Sequence, residues 1–237
     1  MSAVFHHIGG SGPEVLLIHG FGADRLGWAF TSSVLTPDFS VWAVDLPGHG
    51  AANSDVGDGS LAALSDRLVE NLPFEGPFRA VGHSMGGAIT LDLARRRLVS
   101  RAVLLAPAGM GSQVSTRFVQ GLPEVREAEG ALELLRDLVA NPRLIAPQMV
   151  EHLLNSLDVP GRREALGLIA SHLMEDLQIN VPRGVPLTVV WGEKDAVNAP
   201  PQSPPVEDFH VLKNIGHLPH AEAAMAVNKI IKQTFSA

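Results

Sequence analysis

This 237-residue sequence has no cysteine and has fewer basic than acidic residues. It contains no cysteine, which excludes disulfide bonds, thiolate ligands for zinc and a cysteine nucleophile. Lysine and arginine number 18 against 25 aspartate and glutamate residues, so the formal net charge is -7. Because an excess of negative charge is repelled by phosphate, we expect no nucleic acid partner.

Long apolar runs and targeting signals are also missing. No uninterrupted apolar stretch is long enough to span a bilayer, and the first residues lack the basic, apolar and cleavage-site succession of a secretory signal. These absences predict a cytoplasmic protein with no membrane partner. His49 has no second histidine or carboxylate at metal-site spacing, so we expect no metal and no cofactor. The sequence leaves the oligomeric state open.

What the sequence does contain is a regular alternation of apolar runs. Hydrophobic residues make up 46% of the chain and charged residues 18%, which suits one domain with a sheet covered on both faces. We therefore predict an α/β fold with a mostly parallel, doubly wound sheet. Strands are predicted near Val4–Ile8, Val15–His19, Val41–Asp45, Phe78–Gly82, Arg101–Leu105, Leu187–Trp191 and Phe209–Leu212. Helices are predicted near Trp28–Leu35, Leu61–Leu72, Met85–Arg97 and Ala221–Phe235.

Three stretches depart from this alternation. Residues 109–183 contain three or four amphipathic helical patterns, predicted to form a cap on a core of residues 1–108 and 184–237. The proline-rich segment 199–205 predicts that the helix between the last two strands is shortened or absent. The segment 9–12, which reads GGSG, precedes a strand and is interpreted as a hairpin turn.

The segment 82–87, which reads GHSMGG, is the most informative part of the chain. Ser84 lies where an apolar strand ends and a helical pattern begins, which is typical of a nucleophile elbow. The sharp turn of such an elbow projects the serine hydroxyl from the top of the sheet. Gly82 and Gly86 let the strand and the helix approach closely. The alternative is a glycine-rich turn with a chance serine.

A serine nucleophile needs a basic histidine and an acid that orients it. After such an elbow the expected order along the chain is serine, acid, histidine. Asp195 follows a predicted strand and is preferred over Glu193, which lies on the turn where that strand ends. His217 is preferred as the base, because Gly216 gives its loop freedom to aim the ring. The competing histidines are His19, His210 and His220.

The segment 19–22, which reads HGFG, supplies a third element. It follows a predicted strand and corresponds to the loop that donates one backbone N–H to an oxyanion hole, while the residue after the nucleophile donates the other. The predicted donors are the amides of Phe21 and Met85. Such donors contribute about 3–4 kcal/mol of transition-state stabilisation each. His19 itself is interpreted as a residue that holds the loop.

These motifs together resemble those of the α/β-hydrolase fold family. The segments that carry the resemblance span nearly the whole chain: HGFG at 19–22, DLPGHG at 45–50, GHSMGG at 82–87, WGEKD at 191–195 and GH at 216–217. The resemblance implies an α/β-hydrolase core with a catalytic triad of Ser84, Asp195 and His217. The DLPGHG loop is expected to support the site.

A second resemblance is to the hydrolase-like C-terminal domain of acetoin dehydrogenase dihydrolipoamide acetyltransferase components. It is carried by residues 105–111, 141–142 and 148–150, and by Glu222-Ala223-Ala224 with Val227-Asn228. The sequence begins only a few residues before the first core strand, so we expect no lipoyl domain.

The motifs predict a serine hydrolase that acts through an acyl-enzyme on a small or medium carboxylic ester, thioester or related carbonyl compound. The alternatives are an acyltransferase related to the acetoin components, a cofactor-free haloperoxidase-like enzyme, a carbon–carbon bond hydrolase and a non-catalytic binding protein. Carbon–carbon bond hydrolases carry asparagine where this chain has His83, and tryptophan where it has Leu218.

The apolar faces of the predicted cap helices suggest a pocket for an apolar acyl chain. The candidate lining residues are Met110, Phe118, Leu132, Leu135, Met149, Leu153 and Leu218. Packing of the cap onto the core is the alternative for at least half of them, since apolar residues at helical spacing are usually core.

Overall fold

Seven strands form one sheet in the computed structural model, which describes residues 2–174 and 181–236. In chain order the strands are β1 (Val4–Gly9), β2 (Glu14–Ile18), β3 (Ser40–Asp45), β4 (Phe78–His83), β5 (Val99–Leu105), β6 (Gln113–Val114), β7 (Leu187–Gly192), β8 (Asn198–Ala199) and β9 (Asp208–Leu212). The sheet order is β1-β3-β2-β4-β5-β7-β9, and only the β1–β3 pair is antiparallel. β6 and β8 form a separate antiparallel ribbon. The predicted mostly parallel sheet is confirmed.

Helices cover both faces of this sheet. They are α1 (Ala29–Leu35), α2 (Leu61–Glu70), α3 (Met85–Arg95), α4 (Thr116–Gly121), α5 (Ala128–Asp137), α6 (Pro147–Leu157), α7 (Arg162–Leu173), α8 (Pro219–Glu222) and α9 (Ala224–Ser236). Side chains alternate along β2, so that Val15 and Leu17 belong to the buried cluster of α1 and α9. Leu16 and Ile18 belong to the cluster of α2 and α3. The sheet is therefore doubly wound.

Helices α4 to α7 lie between β5 and β7 in the chain, within the predicted cap. Their buried side chains, including Phe118, Leu134 and Ile169, belong to the same apolar cluster as Ile18 of the sheet. These helices thus share a core with the sheet. Residues 175–180 of the predicted cap lie outside the described residues, and the division into core and cap stays a prediction.

The glycine-rich segment near residue 10 is not a hairpin turn, so that interpretation was wrong. β1 pairs with β3, and β2 lies on the other side of β3. The segment is a crossing connection pressed against the end of α1: Gly10 has a φ of 81°, and a Cβ there would lie 2.0 Å from the Phe39 carbonyl oxygen. Only glycine fits this close approach without a clash.

The chain between β7 and β9 contains no helix over residues 193–207, all of which the structure describes. This agrees with the prediction from its prolines. The predicted C-terminal helix is divided, because Ala223 between α8 and α9 has non-helical angles of φ -130° and ψ 41°. Across residues 2–174 and 181–236, no helix has both the length and the apolar character needed to cross a membrane.

Candidate active site

Ser84 occupies a strained turn between β4 and α3. Its backbone angles are φ 52° and ψ -117°, in a region that L-residues rarely adopt. The Ser84 N–H donates to the Leu105 carbonyl at 2.9 Å, and the Ser84 carbonyl accepts from the amides of Gly87, Ala88 and Ala108. These hydrogen bonds fix the turn at the carboxyl edge of the sheet and leave the serine side chain half-buried.

Gly86 shows why the elbow contains glycine. A Cβ at this position would lie 2.3 Å from the Ile18 carbonyl oxygen and 2.4 Å from that of His19. These are backbone atoms of β2 and the loop that follows it, so they cannot move aside easily. The close approach brings the start of α3 directly against that loop.

His217 and Asp195 form a buried hydrogen-bonded pair. The Nδ1 of His217 donates to Asp195 Oδ2 at 2.7 Å, and both side chains are almost fully excluded from solvent. Asp195 Oδ1 accepts the backbone amides of Val197 at 2.9 Å and Asn198 at 2.8 Å. Hydrogen bonds therefore hold both oxygens of the Asp195 carboxylate in place. Because Nδ1 carries the proton, the Nε2 of His217 is the nitrogen free to accept another.

Within the described residues, no hydrogen bond joins Glu193 to His217. The Oε2 of Glu193 accepts the Asn214 N–H at 3.1 Å on the exposed side of the loop. Among the competing histidines, His210 bonds to Asp208 at 2.9 Å on the surface of β9. His19 donates from Nδ1 to the Gly20 carbonyl and accepts the Leu46 N–H at Nε2, so both of its nitrogens hold the backbone.

The loop after β2 lies directly against the serine elbow. A Cβ on Gly20 would lie 2.9 Å from His83 Nδ1 and 3.1 Å from Ser84 Cβ. Met85 is the first residue of α3, where a helix leaves backbone N–H groups without an intrahelical partner. Among the described residues, the amide of Phe21 also has no acceptor. The two predicted oxyanion donors thus come from segments that meet at Ser84.

The DLPGHG loop, residues 45–50, holds the loop after β2 in position. His49 accepts the Gly22 N–H at 3.1 Å and donates to the Pro47 carbonyl at 2.9 Å, which ties it to the loop after β2. The buried carboxylate of Asp45 accepts the amides of Arg25 and Ala51 at 2.9 and 3.0 Å. Burial by itself raises the pKa of Asp45, but these amides and the Arg25 guanidinium, 3.0 Å away, outweigh it and lower that pKa below its usual value.

Glu222 is a residue whose contacts the sequence analysis missed. Its Oε1 accepts the Gly216 N–H at 2.7 Å, and its Oε2 accepts the Ala140 N–H at 2.8 Å. The His217 amide donates to the Leu138 carbonyl at 2.8 Å. The loop that carries His217 is therefore attached to the end of α5. The only signal in the sequence was a carboxylate shortly after a candidate histidine, because its second partner is remote along the chain.

A cavity of about 400 Å³ lies between these loops and the inserted helices, and both Ser84 and His217 line it. Of the predicted pocket residues, five line the cavity: Phe118, Leu135, Met149, Leu153 and Leu218. Leu134 and Leu138 were not predicted but also line it. The size is typical of a site for a small molecule.

Met110 and Leu132 do not line this cavity, so their assignment to the pocket was wrong. Met110 is buried beside Ala108 in the loop after β5, within the main apolar cluster. Leu132 lines a separate groove together with Val150 of α6. On α5 the cavity face carries Leu134, Leu135 and Leu138 at helical spacing, and Leu132 points to a different side of that helix.

Four buried histidines surround the site: His19, His49, His83 and His220. Burial lowers the pKa of each of them, and it lowers that of His220 to about 3. His83 donates from Nε2 to the His217 carbonyl at 2.8 Å, and its ring lies 4.8 Å from the rings of both His217 and His220. The neutral ring of His83 therefore packs between His217 and the neutral ring of His220.

These histidines predict a loss of stability in acid. In the unfolded chain they titrate near a pKa of about 6.5, so below that pH the unfolded state binds more protons than the folded state. The unfolding free energy should fall by up to about 1.4 kcal/mol per pH unit for each such histidine as the pH drops from about 6.5. Urea unfolding between pH 7.5 and 5 measures this slope.

Two variants, one without a buried histidine and one without an exposed serine hydroxyl, test the cause. His220→Phe should lower the slope by about 1.4 kcal/mol per pH unit, because it removes one buried neutral histidine. Ser171→Ala, which removes no titratable group, should leave the slope unchanged. A free energy of unfolding that stays flat or rises on acidification would contradict the burial of neutral histidines.

The model of the alpha/beta hydrolase family matches residues 15–230. A dihydrolipoyllysine-residue acetyltransferase component of an acetoin cleaving system from Pseudomonas putida is 34% identical over 233 residues, covering 93% of this chain and 63% of the relative. A monoacylglycerol lipase of Homo sapiens is 28% identical over 213 residues, covering 79% of this chain and 63% of the relative. The chain thus spans less than two thirds of either relative.

A solved structure agrees with the fold. A meta-cleavage product hydrolase from Pseudomonas fluorescens IP01 has a TM-score of 0.82 at 20% identity, covering 99% of this chain and 94% of that chain. The strand order, the turn at Ser84 and the family match over residues 15–230 lead to one conclusion. The chain belongs to the alpha/beta hydrolase family.

Proposed function

We propose that the protein is a serine hydrolase that cleaves a small or medium carboxylic ester or thioester through an acyl-enzyme. The observation that carries this proposal is the arrangement of Ser84, His217 and Asp195. Ser84 sits in a strained elbow and shares a cavity with His217, whose Nδ1 is hydrogen-bonded to buried Asp195. A serine, a histidine oriented by an acid, and a cavity are the parts that nucleophilic acyl transfer requires.

In the proposed mechanism, His217 Nε2 accepts the Ser84 hydroxyl proton while the serine oxygen attacks the substrate carbonyl. Asp195 holds the proton on Nδ1 and stabilises the imidazolium that forms. The amides of Phe21 and Met85 donate to the oxyanion of the tetrahedral intermediate. His217 then protonates the departing alcohol or thiol, and water, activated by the same nitrogen, releases the acid.

The apolar side of the cavity favours an apolar acyl chain. Leucines and a phenylalanine from α4 and α5 form this side, and each buried methylene contributes about 0.8 kcal/mol. We expect kcat/KM for p-nitrophenyl esters to rise about fourfold per methylene from acetate. It should fall sharply once the chain exceeds the cavity.

Two variants on α5 make this test specific. Leu135→Ala should move the optimum to a longer chain, because Leu135 lines the cavity. Leu132→Ala should leave it in place, since Leu132 lines the other groove. A profile without an optimum, or the same shift in both variants, would argue against an enclosed acyl pocket.

A second candidate is acyl transfer, which the 34% identity to the acetoin cleaving component from Pseudomonas putida favours. The same acyl-enzyme would then pass its acyl group to a thiol in place of water. Adding dihydrolipoamide to an ester assay separates the two. Hydrolysis predicts the free acid as the main product, whereas transfer predicts the thioester of dihydrolipoamide.

A further inference from the structure

We propose that one wall of the cavity is a binding subsite for hydroxyl groups on the alcohol portion of the substrate. This inference rests on the proposed ester hydrolysis and adds a substrate class to it: esters of small polyhydroxy alcohols. The wall is a polar stripe formed by Asp24 of the loop after β2 and by Gln148, His152 and Ser156 of α6.

The stripe follows from the register of α6. Gln148, His152 and Ser156 are spaced four residues apart and therefore lie along one line of the helix. Met149 and Leu153 form the adjacent line, and both lines face the cavity. The cavity thus has an apolar side, completed by α4 and α5, and a polar side formed by the stripe.

A hydrogen bond between Asp24 and His152 links the loop after β2 to α6 at the solvent-exposed mouth of the cavity. Asp24 Oδ1 accepts the Leu26 N–H at 2.8 Å, and Oδ2 accepts from His152 Nε2 at 2.6 Å. The side chain of Asp24 is only 11% exposed, whereas that of His152 is 54% exposed. Since Nε2 of His152 donates to Asp24, Nδ1 is the ring nitrogen left to hydrogen-bond a ligand at the mouth.

Gln148 and Ser156 supply the remaining polar groups. Within the described residues, neither side chain has a hydrogen-bond partner in the protein, so an amide and a hydroxyl are free to bind a ligand. Both groups donate and accept, as a substrate hydroxyl does. The stripe is therefore matched to neutral hydroxyls.

The charge at the mouth decides against anionic substrates. The Asp24 carboxylate, on a chain of net charge -7, repels carboxylates and phosphates. The apolar acyl chain fits the leucine-rich side. The alcohol portion, at the other end of the ester bond, then meets the polar stripe.

A pair of esters with the same acyl chain tests this inference. Glyceryl monobutanoate and propyl butanoate differ only in the two free hydroxyls of the alcohol. We expect kcat/KM to be about tenfold higher for the glyceryl ester, as one or two hydrogen bonds at a wet site would give. Alkali titration measures both rates without a chromophore.

Variants of α6 assign the effect to the stripe. His152→Leu should bring the ratio of the two kcat/KM values close to one, and Ser156→Ala should lower it partly. Glu151→Leu, on the outward side of the same helix, should keep the ratio, because Glu151 lines the other groove.

The outcomes separate the two proposals. Equal rates on both esters, an unchanged ratio in both His152→Leu and Ser156→Ala, or a preference for the cationic butanoylcholine over the glyceryl ester would overturn the hydroxyl subsite alone. No hydrolysis of any ester would overturn the proposed function, and the subsite with it.

Discussion

Replacing Asp195 with asparagine is expected to lower kcat for p-nitrophenyl butanoate by about 10⁴-fold. The amide that replaces Oδ2 cannot hold the proton on His217 Nδ1. The ring then favours the other tautomer, and Nε2 can no longer accept the Ser84 proton. Oδ1 of asparagine can still accept the Val197 and Asn198 amides, which the aspartate binds at 2.9 and 2.8 Å. The fold should therefore persist, and thermal unfolding checks this.

Glu193→Gln is the matched control for this experiment. Glu193 contacts Asn214 on the exposed side of the loop, so its replacement should change kcat by less than about twofold. If Glu193→Gln abolished activity and Asp195→Asn did not, the acid would be Glu193, and the role proposed for the Asp195–His217 pair would be wrong.

Ser84→Ala is expected to have the largest effect, a loss of about 10⁶-fold in kcat. Alanine keeps the Cβ and removes only the hydroxyl that attacks the carbonyl, so the cavity should remain intact. KM should change much less than kcat, because the other groups that bind substrate are untouched. Stopped-flow and long steady-state assays together cover this range of rates.

Ser171→Ala provides the control for general effects of losing a serine hydroxyl. Ser171 is exposed on α7, and its Oγ donates to the Leu168 carbonyl at 2.7 Å. Its replacement should leave kcat unchanged. Retention of a tenth or more of the activity in Ser84→Ala would mean that another group is the nucleophile.

Most of the sheet could be predicted from the sequence because its strands are buried on both faces. Runs such as Val15–Ile18 are continuously apolar, and glycine or proline marks their ends. The order of Ser84, Asp195 and His217 could also be predicted, since each follows the end of a strand. Strands that end at the same edge of a parallel sheet bring such residues together.

The polar wall of the cavity could not be predicted in the same way. Gln148, His152 and Ser156 read as the solvated side of an amphipathic helix until the position of α6 over the loop after β2 is known. The errors at Met110 and Leu132 have the same origin. Which face of an inserted helix meets the cavity depends on its rotation against the core, and apolar spacing alone does not fix that rotation.

The connection from β1 to β2 near Gly10 was predicted wrongly for a different reason. Sequential strands are usually neighbours, and a glycine-rich link of this length fits a hairpin. Here β3 is inserted between β1 and β2, a long-range pairing that the local sequence does not encode. The Glu222 carboxylate likewise binds the amides of Gly216 and Ala140, which are remote from each other along the chain.

The most direct test of the proposed function is labelling with a fluorophosphonate, followed by intact-mass analysis and peptide mapping. Fluorophosphonates react with serine hydroxyls that a neighbouring base activates. We predict a single adduct, located on Ser84, that is absent in Ser84→Ala and forms much more slowly in Asp195→Asn. The absence of any adduct, or an adduct on another residue, would contradict Ser84 as the nucleophile.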